Sequence, residues 1–192
     1  MVKRLFAILA AALLMPLAAW AAPITYLYSG TATGSLGANA FTDASFVITA
    51  QADTSNVGAW CCSNLQNTHA SATISIASLG TVTFSAPTHT WIAEACCMGF
   101  GADQASNYLT LDNAPTLHSV GYGLATDIGP IVGDAWTHGQ FVNIATSGGA
   151  LTISHLGAVS FQAITSAVPE ASASVLMALG LAGIGLAVRR RA

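Results

Sequence analysis

Between Arg4 and Arg189 the chain contains neither lysine nor arginine. The five basic residues, Lys3, Arg4, Arg189, Arg190 and Arg191, all stand near the two ends. The eight acids, Asp43, Asp53, Glu94, Asp103, Asp112, Asp127, Asp134 and Glu170, occupy the interval between them. A fold made from that interval has no Lys/Arg–carboxylate ion pair to draw on. Its stability has to come from apolar burial, backbone ladders and covalent cross-links. The same gap excludes a nucleic-acid binder, because displacing counterions from phosphates takes a footprint of basic side chains. Charged residues make up only 7% of the 192, against about a quarter in ordinary soluble domains. That argues against an ordinary cytosolic enzyme.

The basic ends read as membrane addresses. Lys3 and Arg4 precede an unbroken apolar run, Leu5 to Leu14, and Pro16 breaks it before Ala19-Trp20-Ala21. This is the charged, apolar and A-x-A order of a secretory signal peptide, predicted over residues 1–22. The apolar run is too short for the ~20 residues that cross a bilayer, so removal by a signal peptidase after translocon export is expected. At the other end, Val168-Pro169-Glu170 leads into Ala171 to Val188 and then Arg189-Arg190-Arg191. As a helix the apolar stretch would reach ~27 Å, enough for a thin span. The arginines would be retained on the cytoplasmic side, with the bulk of the chain outside.

This tail, residues 168–192, resembles the PEP-CTERM sorting signal. Its three parts occur in order: the motif Val168, Pro169 and Glu170, a glycine-containing transmembrane helix, and the cluster Arg189, Arg190 and Arg191. The motif's second proline is Ala171 here, which bears on processing efficiency. The resemblance implies export by a Gram-negative bacterium and a transient inner-membrane anchor. It also implies recognition by an exosortase-like cysteine transpeptidase and release to the cell surface or an extracellular matrix rich in polysaccharide. The stretch from Tyr28 to Thr54 is similar to the opening hairpin common in such proteins.

Residues 23–167 remain as the exported domain, with seven acids, Asp43 through Asp134, and no base. Their periodicity predicts strands. Phe46, Ile48 and Ala50 fall on one side of a segment from Phe41 to Gln51, and Val47, Thr49 and Gln51 on the other. Thr73 to Ile76 and Thr81 to Phe84 alternate around Leu79-Gly80, a hairpin signature. Leu151 to Ser154 and Val159 to Phe161, around Leu156-Gly157, repeat it at a constant offset and predict a second hairpin. Further strands are expected over Ile24 to Tyr28, His89 to Ala93, Tyr108 to Leu111, His118 to Tyr122 and Gln140 to Ala145. Only Asp103 to Asn107 reads as a helical turn. The predicted fold is all-β, an antiparallel β-sandwich of jelly-roll-like type, between an N-terminal signal helix and the C-terminal sorting helix.

Cys61-Cys62 and Cys96-Cys97 are adjacent pairs. In an oxidising compartment they should cross-link, pair to pair. Facing antiparallel strands would favour Cys61 with Cys97 and Cys62 with Cys96, one bridge per face; the parallel connectivity stays open. A four-cysteine zinc site wants two to four residues between ligands and has none here, so no metal is predicted.

Residue patterns that would carry chemistry are sparse. His69, His89, His118, His138 and His155 are widely spaced, and no G-x-S-x-G or calcium-loop pattern occurs. No catalytic residue and no cofactor is predicted. Trp60 and Trp91, each just before a cysteine pair, are expected to pack on the bridges. Trp136, in the polar stretch Gly133 to His138, reads as a loop residue and the candidate glycan contact, with Asp134 and His138 beside it. The leading expectation is a non-enzymatic, disulfide-linked protein of the cell surface or matrix, associated with exopolysaccharide or biofilm. A carbohydrate-binding module is the alternative, and a secreted hydrolase using Glu94 with Asp103 or Asp134 is the third reading.

Overall fold

A computed structural model of the chain describes residues 21–60, 64–93, 97–102, 107–111, 121–137 and 141–166. The predicted signal helix, the sorting tail and the Asp103–Asn107 turn up to residue 106 lie outside the described residues. Everything regular among the described residues is strand. The elements are β1 (Pro23–Leu36), β2 (Asn39–Ala59), β3 (Leu65–Ile76), β4 (Gly80–Thr83), β5 (Thr88–Ala93) and β6 (Cys97–Ala102). They continue as β7 (Asn107–Leu111), β8 (Ile128–Gly133), β9 (Ala135–Thr137), β10 (Ile144–Thr146) and β11 (Gly149–Thr165). Each pairs antiparallel with its neighbours.

The antiparallel all-β expectation holds, and hydrogen bonds link the strands into one continuous sheet that curls nearly to closure. Its order is β10-β11-β1-β2-β3-β5-β6-β7-β9, with β4 added to β3 and β8 to β11. Two links bring the sheet round almost to closure. Phe84, just past β4, bridges Thr146 of β10. Beside it Ser85 N–H donates to Ala145 C=O at 2.9 Å and Ser147 N–H to Thr83 C=O at 2.8 Å. Elsewhere β9, the edge strand beside β7, follows β8 after the single residue Asp134, and β8 is paired with β11. A wrapped sheet leaves few free edges for another chain to pair with.

The apolar alternation settles which face is inside. Ile24, Tyr26 and Tyr28 of β1, Phe46, Ile48 and Ala50 of β2, and Ile74 and Ile76 of β3 are buried. They meet Met98 and Phe100 of β6, Leu109 of β7, Phe141, and Val159, Phe161 and Ala163 of β11 in one core. Each large side chain taken out of water contributes roughly 1.5–3 kcal/mol. That is the term a domain without basic residues depends on. The first and last strands are neighbours along the whole of β1, from Ile24 opposite Thr165 to Leu36 opposite Leu151. Ser166 N–H donates to Pro23 C=O, and Thr54 N–H to Ala22 C=O, both at 2.9 Å. The domain therefore closes on itself between Ala22 and Ser166.

The β3–β4 hairpin forms as expected, with Thr73 opposite Thr83 and Ile76 opposite Gly80. The hairpin expected around Leu156-Gly157 does not form. Residues 149–165 are one continuous strand, and its register on β1 slips by one residue near Gly157 and again near Ser154. Each slip is a bulge that moves the buried phase along β11, from Leu151 and Ile153 to Leu156 and then to Val159, Phe161 and Ala163. Read as alternation alone, two phase changes look like a turn. Residues 118–120 and 140 of two other expected strands lie outside the described residues. Tyr122 is in irregular chain, and Ile144 begins β10.

Candidate functional site

Two constellations stand out, one on each face of the sheet around β5. The inner one is a line of polar groups within the core. Asn67 and His69 of β3, Thr88 and Thr90 of β5, and Tyr26 and Tyr28 of β1 are all buried. Asn67 Nδ2 donates to the Tyr26 hydroxyl at 2.7 Å and to Asp53 C=O at 3.1 Å, while Tyr26 donates to Leu124 C=O. The His69 ring sits between two threonine hydroxyls, Nδ1 at 2.9 Å from Thr88 Oγ1 and Nε2 at 2.9 Å from Thr90 Oγ1. Tyr28 continues the line, 2.9 Å from Thr90 Oγ1 and donating to Gly99 C=O at 3.1 Å.

Such groups are tolerable in a core only when hydrogen-bonded and uncharged. Burial, with a smaller contribution from His89, pushes the His69 ring down to about 3. Burial also pushes the Tyr26, Tyr28 and Tyr122 phenols up, against the opposing hydrogen bonds from Asn67 and Thr90. At neutral pH the whole line is therefore neutral. A histidine that stays unprotonated across the working range, sealed under the sheet, is not placed to pass protons to a substrate. The line ties β1, β3, β5 and β6 together.

The outer constellation is aromatic. Register pairs Trp91 of β5 with Gly99 of β6, Gly99 with Thr110 of β7, and Thr110 with Trp136 of β9. The next row of the same face pairs His89 with Gly101 and Gly101 with Tyr108. The glycines are required here. A Cβ on Gly99 would stand 2.0 Å from Leu109 C=O, and one on Gly101 only 2.5 Å from the His89 ring. With no side chain at Gly99 or Gly101, the Trp91 and His89 rings lie down against the sheet there. Trp60, entering from the end of β2 with its N–H bonded to Asn64 C=O at 2.9 Å, covers them. Its ring centroid is 5.8 Å from Trp91, 5.8 Å from Tyr108 and 6.3 Å from His89. Trp60 remains 39% exposed and Trp136 38% exposed, whereas Trp91 beneath is 5% exposed.

Trp136 is a strand residue in β9 where a loop was expected, because pairing with β7 overrides the polar composition around it. Asp134 is exposed between β8 and β9, and His138 lies outside the described residues. Trp60 and Trp91 pack on each other and on Tyr108. Glu94 and Asp103 lie outside the described residues, as do Cys61, Cys62 and Cys96. Cys97 begins β6 opposite Ala93 and is buried. The strand ends that border the cysteine pairs in sequence, Ala59, Leu65, Ala93 and Cys97, lie at one end of the sheet, where Ala59 pairs with Leu65, Leu65 with Ile92 and Ala93 with Cys97.

Sequence reasoning missed the aromatic face as a unit. The signal that could have found it is the spacing Gly99-x-Gly101 between two strands that carry aromatic residues. Among the described residues no group of three histidine, cysteine or acidic side chains is placed to hold a metal. Compared with family models, with curated proteins and with solved structures, the chain matches none.

Proposed function

We propose that this is a non-enzymatic exported protein of a Gram-negative cell surface or extracellular matrix, delivered as a precursor and released by an exosortase-like transpeptidase. The observation that supports it best is the separation of roles along the chain. A self-closing β domain without a single lysine or arginine lies between two basic, apolar ends. The signal helix over residues 1–22 engages the translocon and signal peptidase. The tail, with Val168, Pro169, Glu170 and Arg189 to Arg191, holds the chain in the inner membrane until it is processed. Within the domain, the wrapped sheet serves as a sandwich-like body of jelly-roll type. In the oxidising exterior the cysteine pairs are bridged pair to pair, Cys61 to Cys97 and Cys62 to Cys96 or in the parallel connectivity.

Localisation tests this reading. In an exosortase-deficient strain the tagged protein should accumulate in the inner membrane with its tail attached. In the parent strain it should reach the surface or medium. Identical distribution in both strains would refute it. The carbohydrate-binding reading is favoured by one further observation, the exposure of Trp136 in register with the aromatic face rather than in a free loop.

A further inference from the structure

We infer that, until the tail is cut, one end of the wrapped sheet lies on the phospholipid head groups of the inner membrane, held there by a short tether; this rests on the exported-precursor reading and gives it an orientation and a contact surface. Strand direction alternates, so β1, β3, β6 and β8 start at that end and β2, β5, β7 and β11 finish there. The chain enters and leaves the domain at this end, and both points are fixed. Ala22 N–H donates to Thr54 Oγ1 at 3.0 Å, and Thr54 N–H returns to Ala22 C=O at 2.9 Å. Ser166 N–H donates to Pro23 C=O at 2.9 Å, and the Asp127 carboxylate accepts from both the N–H and the hydroxyl of Thr165.

Length decides how far away the lipid can be. The whole stretch from Ala171 to Val188 is needed for a span of ~27 Å, so none of it lengthens the linker. Five residue steps separate Ser166 from Ala171, at most ~18 Å when fully extended. The head-group layer takes up ~5–8 Å of that reach. Full extension is one conformation among many and is entropically costly, so the end settles onto the head groups. The surface suits that contact. Trp60, whose N–H bonds to Asn64 C=O where β2 turns towards β3, and Ile164, next to last in β11, are its large exposed apolar side chains. Tryptophan favours the head-group level, with an apolar ring and a polar N–H. Asp53 and Asp127 at this end are engaged by Ser55 and Thr165, and the domain has no base. Apolar contact and the tether, not attraction to anionic lipid, therefore hold the end in place.

The test uses the signal-processed chain, residues 22–192, in phosphatidylcholine nanodiscs that include phosphatidylcholine with a nitroxide on its head group, a quencher of nearby tryptophan fluorescence. The tryptophans present are Trp60, Trp91 and Trp136. Trp136 stands well away from the lipid, eight residues along the β8–β9 run from Ile128, ~26 Å of strand. The nitroxide lipid should quench the emission. Trp60→Phe should remove most of the quenching, and Trp136→Phe should leave it. A Gly/Ser spacer of about 20 residues between Ala167 and Val168, ~25 Å in r.m.s. length, should also remove most of it. If Trp60→Phe loses its β-sheet circular dichroism, Trp136→Phe and the spacer decide. Insertion into the nanodiscs without quenching overturns the inference and leaves the exported-precursor reading in place. Quenching that disappears with Trp136→Phe, or that survives the spacer, does the same. A chain that does not enter the nanodiscs overturns that reading and the inference together.

Discussion

Acid should destabilise this domain through one buried ring. His69 is held neutral between Thr88 and Thr90, and its proton affinity falls from the ordinary 6.5 to about 3, chiefly through burial. The unfolded chain takes up a proton below pH 6.5 that the folded chain refuses. The His69 contribution is thus fully favourable above 6.5, declines as pH falls, and levels off near 3. The slope between is about 1.4 kcal/mol per pH unit, so going from pH 7 to 4.5 removes about 2.5 kcal/mol. That is a large share of the 5–15 kcal/mol by which domains are typically stable, roughly speaking. Asp53 and Asp127, held low by Ser55 and Thr165, push in the same direction but only at more acidic pH. Urea unfolding of residues 22–167 at pH 7, 6, 5 and 4.5 measures the slope. His69→Gln keeps a hydrogen-bonding side chain without the titration. It should start about 1–3 kcal/mol less stable and run flat across the window. A flat wild-type profile, or an equal slope in His69→Gln, would refute the reasoning.

Three other substitutions have opposed or graded outcomes in the same unfolding assay. The Tyr122 hydroxyl is buried without a partner, so Tyr122→Phe should be neutral or stabilising by about 1 kcal/mol. Tyr26→Phe removes the acceptor of Asn67 and the donor to Leu124 C=O and should cost about 1.5–3 kcal/mol. Gly99→Ala drives a Cβ to 2.0 Å from the Leu109 carbonyl, a rigid backbone neighbour, and should cost about 2 kcal/mol or more. Gly101→Ala meets the His89 ring instead, which can shift, so it should cost less than Gly99→Ala. The reverse order would count against the flat packing of rings on β6.

Where a strand has one wet and one dry face, its position was legible. Phe46, Ile48 and Ala50 are buried and Val47 and Gln51 are exposed, as period-two alternation requires. Legibility failed where tertiary pairing, not alternation, makes the strand. Both faces of β6 are buried, and two of its three outer-face residues are glycines that admit the close approach of Leu109 and His89, so no alternation survives. Pairing with β11 makes β8 a strand despite Pro130, and pairing with β7 does the same for β9 despite its polar neighbours. The bulges of β11 imitated a turn for the reason given above. The inner polar line was invisible for a different cause. His69 and Asn67 look like surface residues one at a time, and only the approach of Thr88, Thr90 and Tyr26 from distant segments makes their burial affordable. The aromatic face gathers residues 60, 89, 91, 108 and 136, a set that no local window contains.

Mass spectrometry of the protein recovered from the exterior of exporting cells bears most directly on the idea that both basic ends are discarded. The expected species begins at Ala22 or Pro23, ends near Val168 to Glu170, lacks Arg189 to Arg191, and keeps its mass after trypsin because nothing in it can be cut. A secreted species that still carries the C-terminal arginines, or a chain found only inside the cell with Lys3 and Arg4 in place, would contradict it.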